Sequence, residues 1–167
     1  MHQALLRYDE ALVRRAVFAF WKRTVGYGFP IALGLVAVGF VPDLIRGTAS
    51  WVTGVCATVF VLGVGLVVTI YAVHIKNSMA KFRALGQPEA RFIAEDETFT
   101  LVSDVGSSTL NWSAIQEVWR FSEFWLVLFS KAQFSIIPLA GVSHQMQVFV
   151  LDKVRGSGGK VIAVKKP

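Results

Sequence analysis

The chain is poor in charge and in the residues that make chemistry legible in a sequence. Its 167 residues include one cysteine and three histidines, and only 11 acidic side chains stand against 17 Lys and Arg. Cys56, alone inside an apolar run, cannot close an intrachain disulfide, so nothing points to an oxidising compartment. His2, His74 and His144 are far apart, with no Cys or carboxylate at metal-ligand spacing. Gly156-Ser157-Gly158-Gly159 lacks the Lys-Ser/Thr signature of a phosphate loop. Ser107, Ser108, Ser113 and Ser143 lack the glycine-flanked strand-to-helix setting of a nucleophile. Glu95, Asp96 and Glu97 cluster, but consecutive turn positions point different ways and suit solvent better than acid/base catalysis. No catalytic, metal or cofactor-binding residue stands out, and the expectation is a protein that is not an enzyme.

Charge is missing altogether from Trp51 to Ile75, which holds no Asp, Glu, Lys or Arg. About 20 apolar residues suffice to cross a hydrocarbon core, and the run is far too long for a buried strand. Trp51 and Tyr71 stand near its ends, where amphipathic rings favour a membrane interface. A weaker apolar segment, Thr24 to Val41, contains Gly26, Gly28, Gly34, Gly39 and Pro30, residues that membrane helices tolerate. Pro42-Asp43 supplies a stop. A two-helix transmembrane hairpin is therefore expected over 24–75, with spans at about 24–41 and 51–75. A cleaved signal peptide fits poorly, because a long polar segment leads and a second span follows at once. Neither span holds a buried acid, lysine or arginine that could serve a proton relay or ion path, which argues against a transporter. Gly28/Ala32, Gly54/Thr58 and Gly65/Thr69 repeat small residues at four-residue spacing. The expected use is packing of the two helices on each other, with a homo-oligomer contact as the alternative.

The net charge of +6 flanks this hairpin. Arg14, Arg15, Lys22 and Arg23 precede it, and Lys76, Lys81 and Arg83 follow, whereas the connecting segment offers only Arg46, offset by Asp43. By the positive-inside rule both termini are expected in the cytoplasm. A nucleic-acid binder would instead carry its basic face on the folded domain, so no nucleic acid is expected. Residues 1–23 read as an amphipathic cytoplasmic helix. Leu5, Tyr8, Leu12, Ala16, Ala19 and Phe20 share one face, interrupted by Asp9, fit to lie in the interface or to pack on the following domain.

Residues 84–167 change character, to short runs separated by turn residues. Strands are predicted at Arg91–Ala94, Thr98–Ser103, Ser107–Asn111, Ile115–Phe121, Phe124–Phe129 and Gln133–Ile137. Ser143 could cap a final helix to about Arg155, although Met146, Val148 and Val150 also alternate as in a strand. Trp112, at the join of two apolar strands, is expected in the core. Trp119, Phe121, Phe124 and Trp125 form the densest aromatic cluster and are the candidate interaction surface, with core packing as the default.

Leu110-Asn111-Trp112-Ser113-Ala114-Ile115 resembles the polar-Trp-Ser turn of the bacterial YcxB-like membrane proteins, and Ile136-Ile137-Pro138 resembles the end of a later strand in that family. The order of basic aromatic N-terminal helix, two spans and strand-rich domain is similar over almost the whole chain. After Pro138 this chain has Leu139-Ala140 where the family pattern has a basic pair. The resemblance implies a membrane protein of α+β class, with a pleckstrin-homology-like (PH-like) antiparallel β domain behind the hairpin and a C-terminal helix. It implies no enzyme activity and no cofactor. Phosphoinositide-binding domains of the PH kind use Lys and Arg between their first two strands. The corresponding loop here reads as Glu95-Asp96-Glu97-Thr98, which would repel such a headgroup. The resulting expectation is a multi-pass protein of the bacterial inner membrane, acting as a membrane-anchored interaction or scaffold module. Its partners would be the bilayer and a protein or second copy, and the alternative is lipid sensing through the juxtamembrane basic residues.

Overall fold

The structure, a computed structural model, describes residues 2–84, 88–131 and 133–164. Among these the chain is α+β, with four α-helices, one 3₁₀ turn and eight strands in two four-stranded sheets. It forms two compact units, Met1–Ala16 with Ser78–Pro167, and Val17–Asn77.

The first unit opens on a strand. β1 (His2–Arg7) pairs antiparallel along its whole length with β2 (Glu89–Ala94), so that His2 faces Ala94 and Arg7 faces Glu89. Ala4 and Leu6 are buried while Gln3, Leu5 and Arg7 are exposed, the period of two that a half-buried strand requires. The expectation of one amphipathic helix over residues 1–23 is corrected: only Glu10–Val25 is helical, as α1. Leu, Ala, Gln and Arg are good helix formers, but here burial of Leu6 and a full ladder of backbone bonds outweigh local propensity. Asp9 is no intruder on a helix face. It begins the helix, its Oδ1 accepting the Leu12 N–H at 2.6 Å.

β3 (Thr98–Ser103) and β4 (Gly106–Asn111) extend this sheet in the order β1-β2-β3-β4, antiparallel throughout. β5 (Glu117–Arg120), β6 (Phe124–Leu128) and β7 (Phe134–Pro138) form an antiparallel meander. β8 (Lys160–Ala163), which the sequence pattern does not announce, joins β5 in parallel. The six predicted strands correspond to β2 to β7 within a few residues at each end. Leu85, Gly86, Gln87 and Ala132, which fall between predicted elements, lie outside the described residues. The last apolar segment is a helix, α4 (His144–Gly156), capped by Ser143 Oγ, which accepts the Met146 N–H at 3.3 Å. Both sheets and α4 contribute to one core, through Leu6, Phe92, Phe99, Val118, Trp125 and Val150 among others. Trp112 lies in it, 2 % exposed, with its indole N–H donating to the Glu95 carbonyl at 3.0 Å. Two contacts hold β1 and the residue after it against β7 and the loop that follows it. The Tyr8 hydroxyl donates to the Ile136 carbonyl at 3.0 Å, and Gly141 sits so close to the Leu5 carbonyl that a side chain would collide with it.

The second unit holds the latter part of α1, α2 (Gly28–Arg46) and most of α3 (Trp51–Ala84). Gly28–Arg46 and Trp51–Ala80 are each long and apolar enough to cross a membrane. The expected stop at Pro42-Asp43 is overrun: Pro42 lies inside α2, which ends at Gly47, with φ 70. Proline forfeits the hydrogen bond of its own nitrogen, and the rest of the ladder carries the helix one turn further. Ser50 caps α3 reciprocally, its N–H donating to Thr53 Oγ1 at 3.1 Å while Ser50 Oγ accepts the Thr53 N–H at 3.5 Å. The expected small-residue seam is also corrected. Gly28, Gly54 and Gly65 face open space, and the close approach of α2 to α3 is at Gly63, where a Cβ would come within 2.7 Å of Leu33 Cδ2. Helical phase explains the difference, since Gly63 and Gly65 lie about 200° apart around one helix.

Candidate functional site

The aromatic cluster around the β5–β6 turn is not a surface. Trp119, Phe124 and Trp125 are 7 %, 5 % and 1 % exposed, and only Phe121 is half-buried, its ring 4.8 Å from that of Phe124. Every residue of β6 is buried. Trp125 and Val127 belong to the core between the sheets, so Phe124, Leu126 and Leu128 must be covered on the opposite face. Within the same unit, the buried apolar residues outside that core include Leu12, Val13 and Ala16 of α1 and Met79 of α3. Arg15 fixes the placement, its Nη2 lying 3.1 Å from Glu123 Oε2 in the turn itself. The double-sided apolar character of Phe124–Leu128 thus reports two covered faces, and not a docking patch.

The seven flanking cations divide into distinct groups. Arg14 Nη2 pairs with Glu10 at 2.6 Å, one helical turn away, and Arg15 pairs with Glu123, so these two have carboxylate partners within their own unit. Lys22 and Arg23 occupy the last turn of α1, and Lys76 and Arg83 are exposed on α3. The Lys81 side chain lies outside the described residues. On α1 and α3 the cations accompany aromatic rings. Within the second unit Trp21 and Tyr71 lie 5.4 Å apart, Phe18 lies 5.8 Å from Trp21, and the Trp21 indole N–H donates to the Val67 carbonyl at 3.4 Å. His74 packs edge-on against Phe20 at 5.5 Å. The sequence marks Tyr71 as an interface residue but does not reveal this cluster, which requires α1 to turn back along α3.

The acidic turn Glu95-Asp96-Glu97 joins β2 to β3, where the sequence comparison with PH-like domains expects the join of the first two strands. β1 moves every strand one place along. The first and second strands are connected by residues 8–88, with α1, α2 and α3 between them. Asp96 is engaged elsewhere, accepting from Lys153 Nζ of α4 at 2.8 Å. That hydrogen bond and the lysine's positive charge lower the carboxyl below its ordinary pKa. Among the described residues no group of three or more His, Cys, Asp or Glu is placed to hold a metal ion. The His2 ring packs at a tilt against Phe149, with centroids 4.7 Å apart.

Residues 94–153 match the family model of the YcxB-like proteins. The motifs at Leu110–Ile115 and Ile136–Pro138, which carry the sequence resemblance, both fall inside the match. No curated protein and no solved structure matches the chain. The matched segment runs from the last residue of β2 to the third turn of α4. It therefore takes in β3 to β7 but not β1, which pairs with β2, nor β8, which pairs with β5. On its surface one strand stands out. β4 ends its sheet, and of its six residues Gly106, Ser107, Ser108, Thr109 and Asn111 are exposed, without charge or proline to discourage pairing. Sequence reading finds this strand but not its place at the edge, because strand order within a sheet is not written in a strand's own residues.

Proposed function

We propose that the chain is a membrane-anchored interaction module, in which α2 and α3 cross the bilayer as a hairpin and the strand-rich domain meets a partner. The single observation that carries this is the pairing of β1 with β2 across the ends of the apolar helices, sealed where the Tyr8 N–H donates to the Pro88 carbonyl at 2.8 Å. A chain that leaves a domain and returns to the adjoining strand crosses a membrane an even number of times. Two crossings by two suitable helices satisfy that condition. The exposed apolar side chains support the same reading. Leu35, Val38, Ile45, Val61 and Leu62 are between 67 % and 81 % exposed, which water would penalise at about 25 cal/mol per Å² of apolar surface and lipid would not. The cations on the terminal side, against a lone Arg46 in the connecting turn, favour a cytoplasmic domain with both termini inside, as expected of a multi-pass inner-membrane protein.

The domain itself is read as PH-like: four antiparallel strands, then three, then a C-terminal helix. The connection between its first two strands, which phosphoinositide-binding relatives of that fold use for headgroups, here carries the anchor itself. Localisation thus comes from the hairpin and leaves the domain free for another task. With the aromatic cluster buried, the β4 edge is the face we assign to a protein partner, by strand addition. A photo-crosslinking residue at Ser107 or Thr109 should capture a discrete partner in native membranes, whereas one at Val105, in the adjoining turn, should capture less. Equal labelling at all three positions would count against the edge.

A further inference from the structure

Resting on the reading of α2 and α3 as a membrane hairpin, we propose that the headgroup layer on the side of the termini lies against the cluster of Phe18, Trp21, Tyr27 and Tyr71. The second half of α3 then stands outside the hydrocarbon, although its apolar composition continues. Helix lengths pose the question. α2 has 19 residues, roughly 28 Å at 1.5 Å per residue and close to a hydrocarbon core of about 30 Å, whereas α3 has 34 residues, roughly 51 Å. Either α3 tilts strongly to bury its whole apolar run to Ile75, or it leaves the hydrocarbon before that run ends.

Register decides for early exit. Thr53 Oγ1 donates to Asp43 Oδ2 at 3.4 Å at the turn of the hairpin, and Gly63 lies against Leu33 ten residues further along. The same antiparallel register, carried to the start of α2, sets Gly28 opposite Val68. α3 therefore outruns its partner from Val68 onward. At that level the structure gathers its amphipathic rings: Tyr27, 72 % exposed, stands just before α2, and Trp21 reaches the Val67 carbonyl while packing on Tyr71. Lys22 and Arg23 accompany them in the last turn of α1. Rings with polar tips beside lysine and arginine suit the headgroup layer, and Trp51, 81 % exposed, occupies the matching place at the other end of the pair. α1 thus enters this layer beside α3, with Phe18, 45 % exposed, facing the lipid.

The test uses the full-length chain in phosphatidylcholine–phosphatidylglycerol vesicles, with Cys56→Ala and single spin-labelled cysteines at Leu62, Leu66, Val73 and Asn77, all exposed positions of α3. Collision with oxygen and with a water-soluble nickel complex reports depth whichever way the protein inserts. Labels at Leu62 and Leu66 should favour oxygen, and those at Val73 and Asn77 should favour the nickel complex. A label at Val73 as deep as that at Leu66 would overturn the boundary and leave the anchor standing. Nickel access at all four positions would contradict membrane insertion itself. Replacing Tyr71 and Trp21 by leucine should draw the Val73 label deeper, and an unchanged depth would remove the rings as the cause.

Discussion

Trp112 and Tyr8 show how single side chains hold the domain together. Trp112 fills the core against Phe99, with ring centroids 5.1 Å apart, and its indole N–H is satisfied by Glu95. Trp112→Ala should cost about 3–5 kcal/mol, measured by denaturant unfolding of the full chain in detergent, because both a large cavity and an orphaned carbonyl result. Tyr8 is more localised. Burial raises its phenol above the ordinary value of 10.0, since the charged form cannot be solvated there. A phenol raised on folding contributes stability that is complete below the unfolded value and is lost as pH rises beyond it. The protein should therefore weaken above about pH 10, and Tyr8→Phe should lose about 1 kcal/mol at neutral pH while removing part of that alkaline decline. Asp96 works the other way, its pair with Lys153 formed at neutral pH and lost as acid protonates the carboxyl. Because the carboxylate side of that pair is exposed to water, Asp96→Asn should leave thermal stability nearly unchanged.

Among elements, β1 and the α2–α3 contact make the sharpest predictions. A fragment beginning near Ala84 lacks β1, so it exposes the β2 edge and empties the place of Leu6, which is wholly buried. It should aggregate. Residues 2–9 joined through a flexible linker to residues 88–167 should recover a soluble, strand-rich domain, read by circular dichroism and gel filtration. Insolubility of both would contradict the role given to β1. In the hairpin, Gly63→Leu should destabilise by about 1–3 kcal/mol through collision with Leu33, whereas Gly65→Leu, facing open space, should be tolerated in thermal melts in detergent. These elements also show what could be read in advance. β3, β4, β6 and β7 announce themselves through short runs bounded by turns such as Asp104-Val105-Gly106 and Ser122-Glu123. β1 does not, because its partner lies more than eighty residues away and its side chains favour helix locally. The candidate surface failed for a related reason. Alternation says which residues of β6 share a face, but not that α1, from the other side of the hairpin, covers the second one.

For the whole molecule, the arrangement is a domain whose first strand is separated from the rest by three helices, two of them long and apolar enough to cross a membrane. The family match begins at the end of β2, so the matched segment follows the apolar helices, while the strand that completes its sheet precedes them. On the proposed reading of α2 and α3 as a membrane hairpin, the domain would fold only after the hairpin has returned the chain to the side it left, with both termini on that side. Topology mapping in bacterial membranes tests this most directly, with compartment-sensitive reporters at the N-terminus, after Gly47 and after Pro167. The expected result is cytoplasmic signal at both termini and an external signal at Gly47. Termini on opposite sides, or a cytoplasmic Gly47, would contradict the inserted hairpin.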